Sequence, residues 1–215
     1  MRASPSGLRD YTAAWLALFF CSAVCSFAQP LLVSVESTPY DNQMMRVQPV
    51  LAWQPTEVPG SISLALVNQG MNRLRRLPYR YSTQWQTPEE VHASRRADCK
   101  GKAIAMYEFM QSIGAANVRF VIGKHHAGDW FTHAWLEWQT AEGNFVLDPT
   151  FSRRIVRADE QNSSKYIPLY EYEGTSRYRA VNATLVAEKP LRAVAAGRQN
   201  PLSISDSFRL DCRGR

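Results

Sequence analysis

The stretch that decides the fold reads DCKGKAIAMYEFMQSIG and spans residues 98–114. Asp98, at its start, is a residue type that caps helix N-termini, and Gly114, at its end, is the type that stops helices. Between the two, apolar side chains recur at the i, i+3, i+4 and i+7 spacing of an amphipathic helix. The sequence therefore predicts a helix over residues 99–113, with Cys99 as its first residue.

The position of Cys99 at a helix start favours reactive chemistry. The N-terminus of a helix carries partial positive charge and unpaired N–H groups, and both stabilise a thiolate over a thiol. A lowered thiol pKa makes a cysteine nucleophilic, and the same N–H groups can bind a developing oxyanion. Further positive charge nearby in the sequence comes from Arg95, Arg96, Lys100 and Lys102. Cys99 is therefore a candidate catalytic residue.

Two downstream segments are predicted to pair as an antiparallel β-hairpin. Residues 131–138 read as a strand whose successive side chains face opposite ways, and residues 145–147 read as its partner after a turn. His133 lies on the first strand, and Asp148 closes the second. Across such a hairpin an aspartate can bind one imidazole nitrogen and direct the other at a thiol. With Cys99, these residues complete a predicted Cys–His–Asp triad.

Three motifs of this region occur in a characteristic order. They are Asp98-Cys99 before an alanine-rich helix and Gly114, then Thr132-His133-Ala134-Trp135-Leu136, then Gly143 followed by Val146-Leu147-Asp148-Pro149-Thr150. Together they resemble the transglutaminase-like superfamily, with the bacterial transglutaminase-like cysteine peptidases as the nearest group. The run WQTPEE at residues 85–90 is similar to the segment before the cysteine in that group. The resemblance covers residues 78–152, about a third of the chain.

The resemblance implies an α+β fold with a papain/transglutaminase-like core. In that core a catalytic cysteine at a helix N-terminus packs on an antiparallel sheet that carries the histidine and the aspartate. It implies Cys99 as nucleophile, His133 as base and acid, and Asp148 as the residue that orients the imidazole. Enzymes of this superfamily cleave or transfer at amide bonds through a thioester. Gln86 or Trp85 is the expected additional oxyanion donor.

No metal ion and no cofactor are predicted. Lys100-Gly101-Lys102 stands where an acidic residue is common in the family, and no ligand cluster for the calcium required by part of the group is evident. A site built from His125, His126 and His133 is a weak alternative. Adjacent histidines point apart in a strand, and no carboxylate is spaced to complete the set.

The N-terminus reads as a secretory signal peptide over residues 1–28. Arg2 and Arg9 precede an apolar run, and Ser26-Phe27-Ala28 is a small-x-small cleavage pattern. We therefore expect a periplasmic or secreted bacterial protein that is not stably inserted in the membrane once it is cleaved near Ala28. The alternative is an uncleaved N-terminal membrane anchor.

The rest of the chain is predicted as an extended segment (residues 29–60), a transglutaminase-like catalytic domain (residues 61–190) and a flexible tail (residues 191–215). The other expected elements are a strand at residues 47–53, a helix at 61–77 before Pro78, a helix opened by a Thr87-Pro88-Glu90 capping box, a strand at 118–122 ended by Gly123, a polar loop at 124–129, and strands at 166–172 and 184–187.

The charge and composition of the chain exclude some classes of binding partner. The net charge of the full chain is +6. Cleavage of the predicted signal peptide, which holds Arg2, Arg9 and Asp10, would lower the net charge by one. The chain lacks the dense basic stripe with interleaved aromatics of nucleic-acid-binding proteins, so no nucleic acid is expected. The predicted function is that of an exported cysteine peptidase or amidase, whose substrate is a peptide, a protein or peptidoglycan.

Two alternatives stay open. One is a catalytically inert transglutaminase-like module that binds a peptide or a cell-wall glycan in a groove lined by Trp130, Trp135 and Trp138. The other is structural: a disulfide between Cys99 and Cys212, the two cysteines that remain after signal cleavage.

Overall fold

The computed structural model describes residues 30–53, 62–162 and 164–181. The predicted signal peptide, the strand expected at residues 184–187 and the C-terminal tail lie outside these residues. Within the described part of the chain, the helices are all too short or too polar to span a bilayer.

In the part of the chain that the structure describes, seven strands form one sheet. They are β1 (Leu31–Ser34), β2 (Val118–His126), β3 (His133–Thr140), β4 (Gly143–Leu147), β5 (Val156–Arg157), β6 (Lys165–Glu173) and β7 (Ser176–Val181). Their order is β1-β7-β6-β2-β3-β4-β5, and every neighbouring pair is antiparallel. The predicted β3–β4 hairpin is confirmed, with Leu136 opposite Leu147 and Trp138 opposite Phe145. The strand expected at residues 166–172 is confirmed as β6.

Five α-helices accompany the sheet within the described residues. They are α1 (Asp41–Met44), α2 (Gln48–Ala52), α3 (Leu64–Arg75), α4 (Pro88–Ser94) and α5 (Cys99–Ser112). Helix α5 lies against β3 and β2, and α2, α3 and α4 pack on α5. The main core forms where Phe120, Leu136 and Leu147 of the sheet meet Ile104 and Met106 of α5. The protein is therefore a mixed helical and antiparallel-sheet fold.

The alternation predicted for β3 is confirmed by its packing. Ala134, Leu136 and Trp138 join the core on the helical side of the sheet. Trp135 packs in a smaller cluster on the opposite side, and the ring of His133 stacks beside it with centroids 6.0 Å apart. The face that carries His133 is thus set by the two-residue period of the strand.

The predicted helix starts are confirmed. The side chain of Asp98 caps α5, accepting a hydrogen bond from the Gly101 N–H at 3.1 Å. Thr87 and Glu90 form the reciprocal capping box of α4, with Pro88 in its first turn. These caps fix where each helix begins, and so place Cys99 as the first residue of α5.

The strand predicted at residues 47–53 is wrong, because this segment forms α2. Val47 and Leu51 are buried and lie four residues apart in the chain. This spacing is about one helical turn, but over a few residues it also fits the two-residue alternation of a strand. The Tyr107 hydroxyl donates a hydrogen bond to the Leu51 carbonyl at 3.4 Å. Contact with α5 therefore decides the conformation here, not local propensity.

The expected end of β2 at Gly123 is also wrong, since the strand continues to His126. The pairing of β2 with β6 shifts register between Ile122 and Gly123. A Cβ atom at Gly123 would collide with the Ile167 carbonyl oxygen and the Trp135 indole. The glycine therefore admits a close approach of β6, and the strand carries on through the residues expected to form a loop.

Candidate active site

Cys99 lies at the N-terminus of α5 and is 1% exposed. Its sulfur is in a disulfide bond. Residues 30–53, 62–162 and 164–181 contain no second cysteine. A disulfide sulfur cannot act as a thiolate nucleophile, so any catalytic role for Cys99 belongs to the reduced chain.

Lys100 does not supply free positive charge beside Cys99, contrary to the sequence expectation. Its ammonium group forms a buried ion pair with the Asp98 carboxylate and donates a hydrogen bond to the Ser82 carbonyl at 2.5 Å. It also lies 5.1 Å from the centre of the Tyr81 ring. The Asp98 carboxylate in turn accepts the Ser82 N–H at 3.1 Å. This charge is neutralised within the fold.

Lys102 is likewise buried, and its ammonium donates to the Arg75 carbonyl at 3.4 Å. Burial lowers the pKa of Lys102, the negative charge of Asp148 partly opposes this, and Arg75 adds to the lowering. The basic run after Cys99 is therefore an internal feature. Arg95 and Arg96, by contrast, are exposed.

His133 and Asp148 meet across the β3–β4 hairpin. Nε2 of His133 lies 2.8 Å from Oδ2 of Asp148, and the two residues are 2% and 0% exposed. The other carboxylate oxygen of Asp148 accepts the N–H groups of Thr150 at 2.8 Å and Phe151 at 3.3 Å. The turn after β4 thus holds the carboxylate while the strand register presents the imidazole to it.

These contacts keep Asp148 ionised. Burial by itself raises the pKa of a carboxyl group. Here the charge and hydrogen bond of His133 outweigh it, together with the Thr150 N–H and the Tyr166 hydroxyl, so the pKa of Asp148 lies below its ordinary value. An ionised Asp148 can orient the imidazole and stabilise its protonated form.

Tyr166 is a part of the site that sequence reasoning missed. Its hydroxyl donates to Oδ2 of Asp148 at 3.0 Å and lies 3.0 Å from the Ser152 hydroxyl. Its backbone is in the left-handed region, with φ of 52°. That conformation is uncommon for a bulky residue and signals a position imposed by its surroundings. The only sequence signal was a tyrosine at the start of a predicted strand, which carries no hint of the distant Asp148.

His125 and His126, at the end of β2, were expected to point apart, and that expectation is wrong. Their ring centroids are 4.2 Å apart. The expectation that no carboxylate completes the set is also wrong, since Asp129 lies beside both histidines. The His126 N–H donates a hydrogen bond of 2.8 Å to Oδ2 of Asp129, which closes the turn after β2. Burial and the neighbouring His133 and His126 lower the pKa of His125 to about 4.

The two residues suggested as oxyanion donors lie in different environments. Trp85 is buried against Phe120, and its Nε1 is a donor without a hydrogen-bond partner in the described part of the chain. The amide nitrogen of Gln86 is engaged with the Ser94 hydroxyl and the Arg96 carbonyl, both at 3.4 Å. Of the two, Trp85 has the donor that is still available.

The suggested tryptophan groove does not form. Trp135 and Trp138 are buried, and Trp135 donates its indole N–H to Glu137 at 3.3 Å. Trp138 packs with Phe145. Trp130 alone of the three is open to solvent, at 91% exposure.

No protein-family profile matches the chain, and no curated protein matches it. The fold is similar to that of calcium-bound LapG from Legionella pneumophila, at 14% identity and a TM-score of 0.48, over 68% of this chain and 85% of LapG. EGTA-treated LapG gives the same identity and TM-score over 71% and 87%. A candidate cysteine protease from Cytophaga hutchinsonii is similar at 11% identity and a TM-score of 0.34, over 67% of this chain and 60% of that one.

At such TM-scores the likeness does not decide a function. The chemistry open to this chain depends on its own side chains.

Proposed function

We propose that the reduced chain is a cysteine hydrolase of the peptidase or amidase type, with Cys99 as nucleophile, His133 as base and acid, and Asp148 as the orienting residue. The observation that carries the proposal is the buried His133–Asp148 pair, 2.8 Å between Nε2 and Oδ2. A buried imidazole held by an ionised carboxylate is the arrangement that activates a neighbouring nucleophile.

The reaction would proceed in two halves. Because Nε2 of His133 faces Asp148, Nδ1 is the nitrogen that takes the thiol proton of Cys99. The thiolate attacks the carbonyl carbon of an amide, the C–N bond breaks, and His133 returns the proton to the leaving amine, which leaves a thioester. Water then loses a proton to Nδ1 and attacks the thioester, which releases the acid and restores the thiol.

The tetrahedral intermediates of both halves carry an oxyanion. The N-terminus of α5 offers backbone N–H groups and the positive end of the helix dipole at the residue that forms the bond. Trp85 is the side-chain candidate for a further donor, since its Nε1 has no partner in the described residues. Gln86 is the weaker candidate, because its amide nitrogen is already engaged.

The substrate we infer is an exported protein, a peptide or a peptidoglycan cross-bridge, on the strength of the predicted signal peptide. Mass spectrometry of the protein from a bacterial host tests the export. An N-terminus near Gln29 supports it, and an intact leader in the membrane fraction supports the anchored alternative.

Labelling with an electrophilic peptide probe tests the catalytic proposal. The reduced chain should react much faster than the denatured one, and the Cys99→Ala variant should not react. Cys212→Ser is the matched control, because it removes a thiol but leaves the proposed site, and should label like the parent. Undiminished labelling of Cys99→Ala would overturn the proposal.

Two further results would favour the alternatives. If reduced, folded Cys99 reacts only as fast as an ordinary thiol, the chain is an inert module of the same fold. A free-thiol count under denaturing conditions tests the structural disulfide. If the disulfide remains and its reduction unfolds the chain without conferring reactivity, Cys99 has a structural role.

A further inference from the structure

The end of β2 and the turn that follows it carry three side chains that the proposed reaction does not use: His125, His126 and Asp129. One ligand-capable atom from each lies within 4.8 Å of the others. Two imidazole nitrogens and a carboxylate oxygen suit zinc and its neighbours among the transition metals. We propose that His125, His126 and Asp129 bind a divalent transition-metal ion of the zinc class at the rim of the candidate active site.

Hydrogen bonds hold this turn in place without an ion. The Asp129 N–H donates to the His126 carbonyl at 3.1 Å, and the His126 N–H donates to Oδ2 of Asp129 at 2.8 Å. The Lys124 ammonium binds the carbonyls of Asp129 and Trp130 at 2.6 and 3.1 Å. The ligands are therefore brought together before binding, which reduces the entropy that binding has to overcome.

The spacing within the cluster fits a shared ion. Nδ1 of His126 lies 3.7 Å from Oδ2 of Asp129, which is too far for a hydrogen bond. Two ligands on one tetrahedral zinc are about 3.3 Å apart, given bonds of about 2.0–2.1 Å. His126 and Asp129 therefore need to approach each other by only a few tenths of an ångström, and the ligand atom of His125 lies within 4.8 Å of both.

The cluster borders the candidate catalytic pair through His125. Its ring stacks on Phe151 at 4.5 Å and lies 5.7 Å from the ring of His133. The Tyr166 ring meets it edge-on at 4.9 Å. Three protein ligands leave a fourth position on a tetrahedral ion, open to water or to a group of a bound substrate.

Calorimetric titration of the full chain with zinc tests the proposal. In these titrations the parent protein is the Cys99→Ser variant, stripped of metals with a chelator. This substitution removes the Cys99 thiolate as a competing ligand for zinc. The outcome is therefore independent of whether the chain is an enzyme. We expect one zinc ion per chain and no comparable binding of calcium, which takes oxygen ligands.

Variants made on that parent locate the ion. His126→Ala and Asp129→Asn should each weaken zinc binding at least about tenfold, since changes even in the outer shell of metal sites cost 10–100-fold. The asparagine can still accept the His126 N–H bond, so the turn is retained. His92→Ala is the matched control and should bind as the parent does, because His92 is an exposed histidine on α4, outside the cluster.

Three results would overturn the site. They are equal zinc affinity in all variants, loss of binding on His133→Ala but not on Asp129→Asn, and calcium binding as tight as zinc binding. Circular dichroism verifies that each variant is folded. Cobalt gives a second readout on the parent: the site predicts intensified visible bands from nitrogen and oxygen ligands, and a spectrum like that of aqueous cobalt would contradict it.

Discussion

Two buried carboxylates of this protein, Asp98 and Asp148, each pair with a nitrogen-bearing side chain, and the two pairs have different roles. Asp98 and Lys100 pair at the start of α5, two residues apart in the chain. His133 and Asp148 pair across the β3–β4 hairpin, fifteen residues apart. In both pairs the carboxylate also accepts backbone N–H groups, which satisfies its remaining lone pairs.

The difference lies in the side chain that the carboxylate binds. The ammonium of Lys100 contacts the Asp98 carboxylate, the Ser82 carbonyl and the Tyr81 ring. These contacts attach the loop that holds Tyr81 and Ser82 to the N-terminus of α5. The imidazole of His133 has two nitrogens, and Asp148 binds only Nε2. A rigid two-ended group can be oriented at one end and do proton chemistry at the other, whereas an enclosed ammonium serves structure.

The largest effect that separates the pairs concerns reactivity. His133→Ala should slow probe labelling of reduced Cys99 by about 10³-fold, since a positioned acid–base group contributes about 10²–10⁴-fold. Lys100→Met should leave the labelling of the molecules that remain folded within about tenfold. His92→Ala, on α4, is the control and should have no effect. Equal losses of labelling rate in the His133 and Lys100 variants would contradict a separate catalytic role for the His133–Asp148 pair.

A large loss of stability is expected when the first pair is broken. Lys100→Met leaves the carboxylate of Asp98 buried without its cation, which typically costs about 3–5 kcal/mol. Urea unfolding followed by circular dichroism measures this change. Adding Asp98→Asn to Lys100→Met removes the unpaired charge and should recover part of the loss. A double variant no more stable than the single one would contradict the charge argument.

A smaller effect is expected at the edge of the second pair. Tyr166→Phe removes the hydroxyl that donates to Asp148 and contacts Ser152, and keeps the ring that packs on Trp135. We expect a loss of about 1–2 kcal/mol in unfolding free energy and about tenfold slower labelling. Tyr178→Phe, on β7, is the matched control. Unchanged labelling at reduced stability would show that Tyr166 supports the fold only.

The elements that could be predicted from the sequence rest on local signals. The cap at Asp98 and the turn at Gly143 act within a few residues, and they suffice to place Cys99, His133 and Asp148 on their elements. The amphipathic character predicted for α5 is wrong, because every residue from Cys99 to Tyr107 is buried. The pairing of His133 with Asp148 follows from hairpin register, which is also local.

The parts that were missed depend on segments distant in the chain. Lys100 was expected to be free charge although Asp98, its ion-pair partner, is only two residues away. Its other contacts, the Ser82 carbonyl and the Tyr81 ring, come from a loop whose path no local signal gives. Tyr166 reaches Asp148 only because β6 pairs with β2. The contact of His125 with His126 arises where β2 continues past Gly123, a residue that read as a stop because its close approach to β6 cannot be seen in the sequence.

The smallest expected effect is a pH dependence of stability caused by His125, whose ring lies beside that of His133. The pKa of His125 is about 4 in the folded chain against an ordinary 6.5, so between these values the unfolded chain binds more protons. Stability from this group is therefore present above pH 6.5 and is lost as the pH falls toward 4. Since His125 is only half-buried, screening reduces the effect to about 1 kcal/mol.

The comparison of the parent with His125→Gln isolates this contribution, because other titrating groups cancel in the difference of unfolding free energies. Glu171 acts oppositely: burial beside Glu137 raises its pKa to about 7, so its contribution is lost as the pH rises from 4.5 through 7. Asp148, with its lowered pKa, acts only below 3.8, since its contribution is lost as the pH falls through that range. A difference profile that declines from pH 6.5 to 4 assigns the effect to His125. A flat profile would mean that folding does not disfavour its protonation, and that the ring beside His133 is solvated.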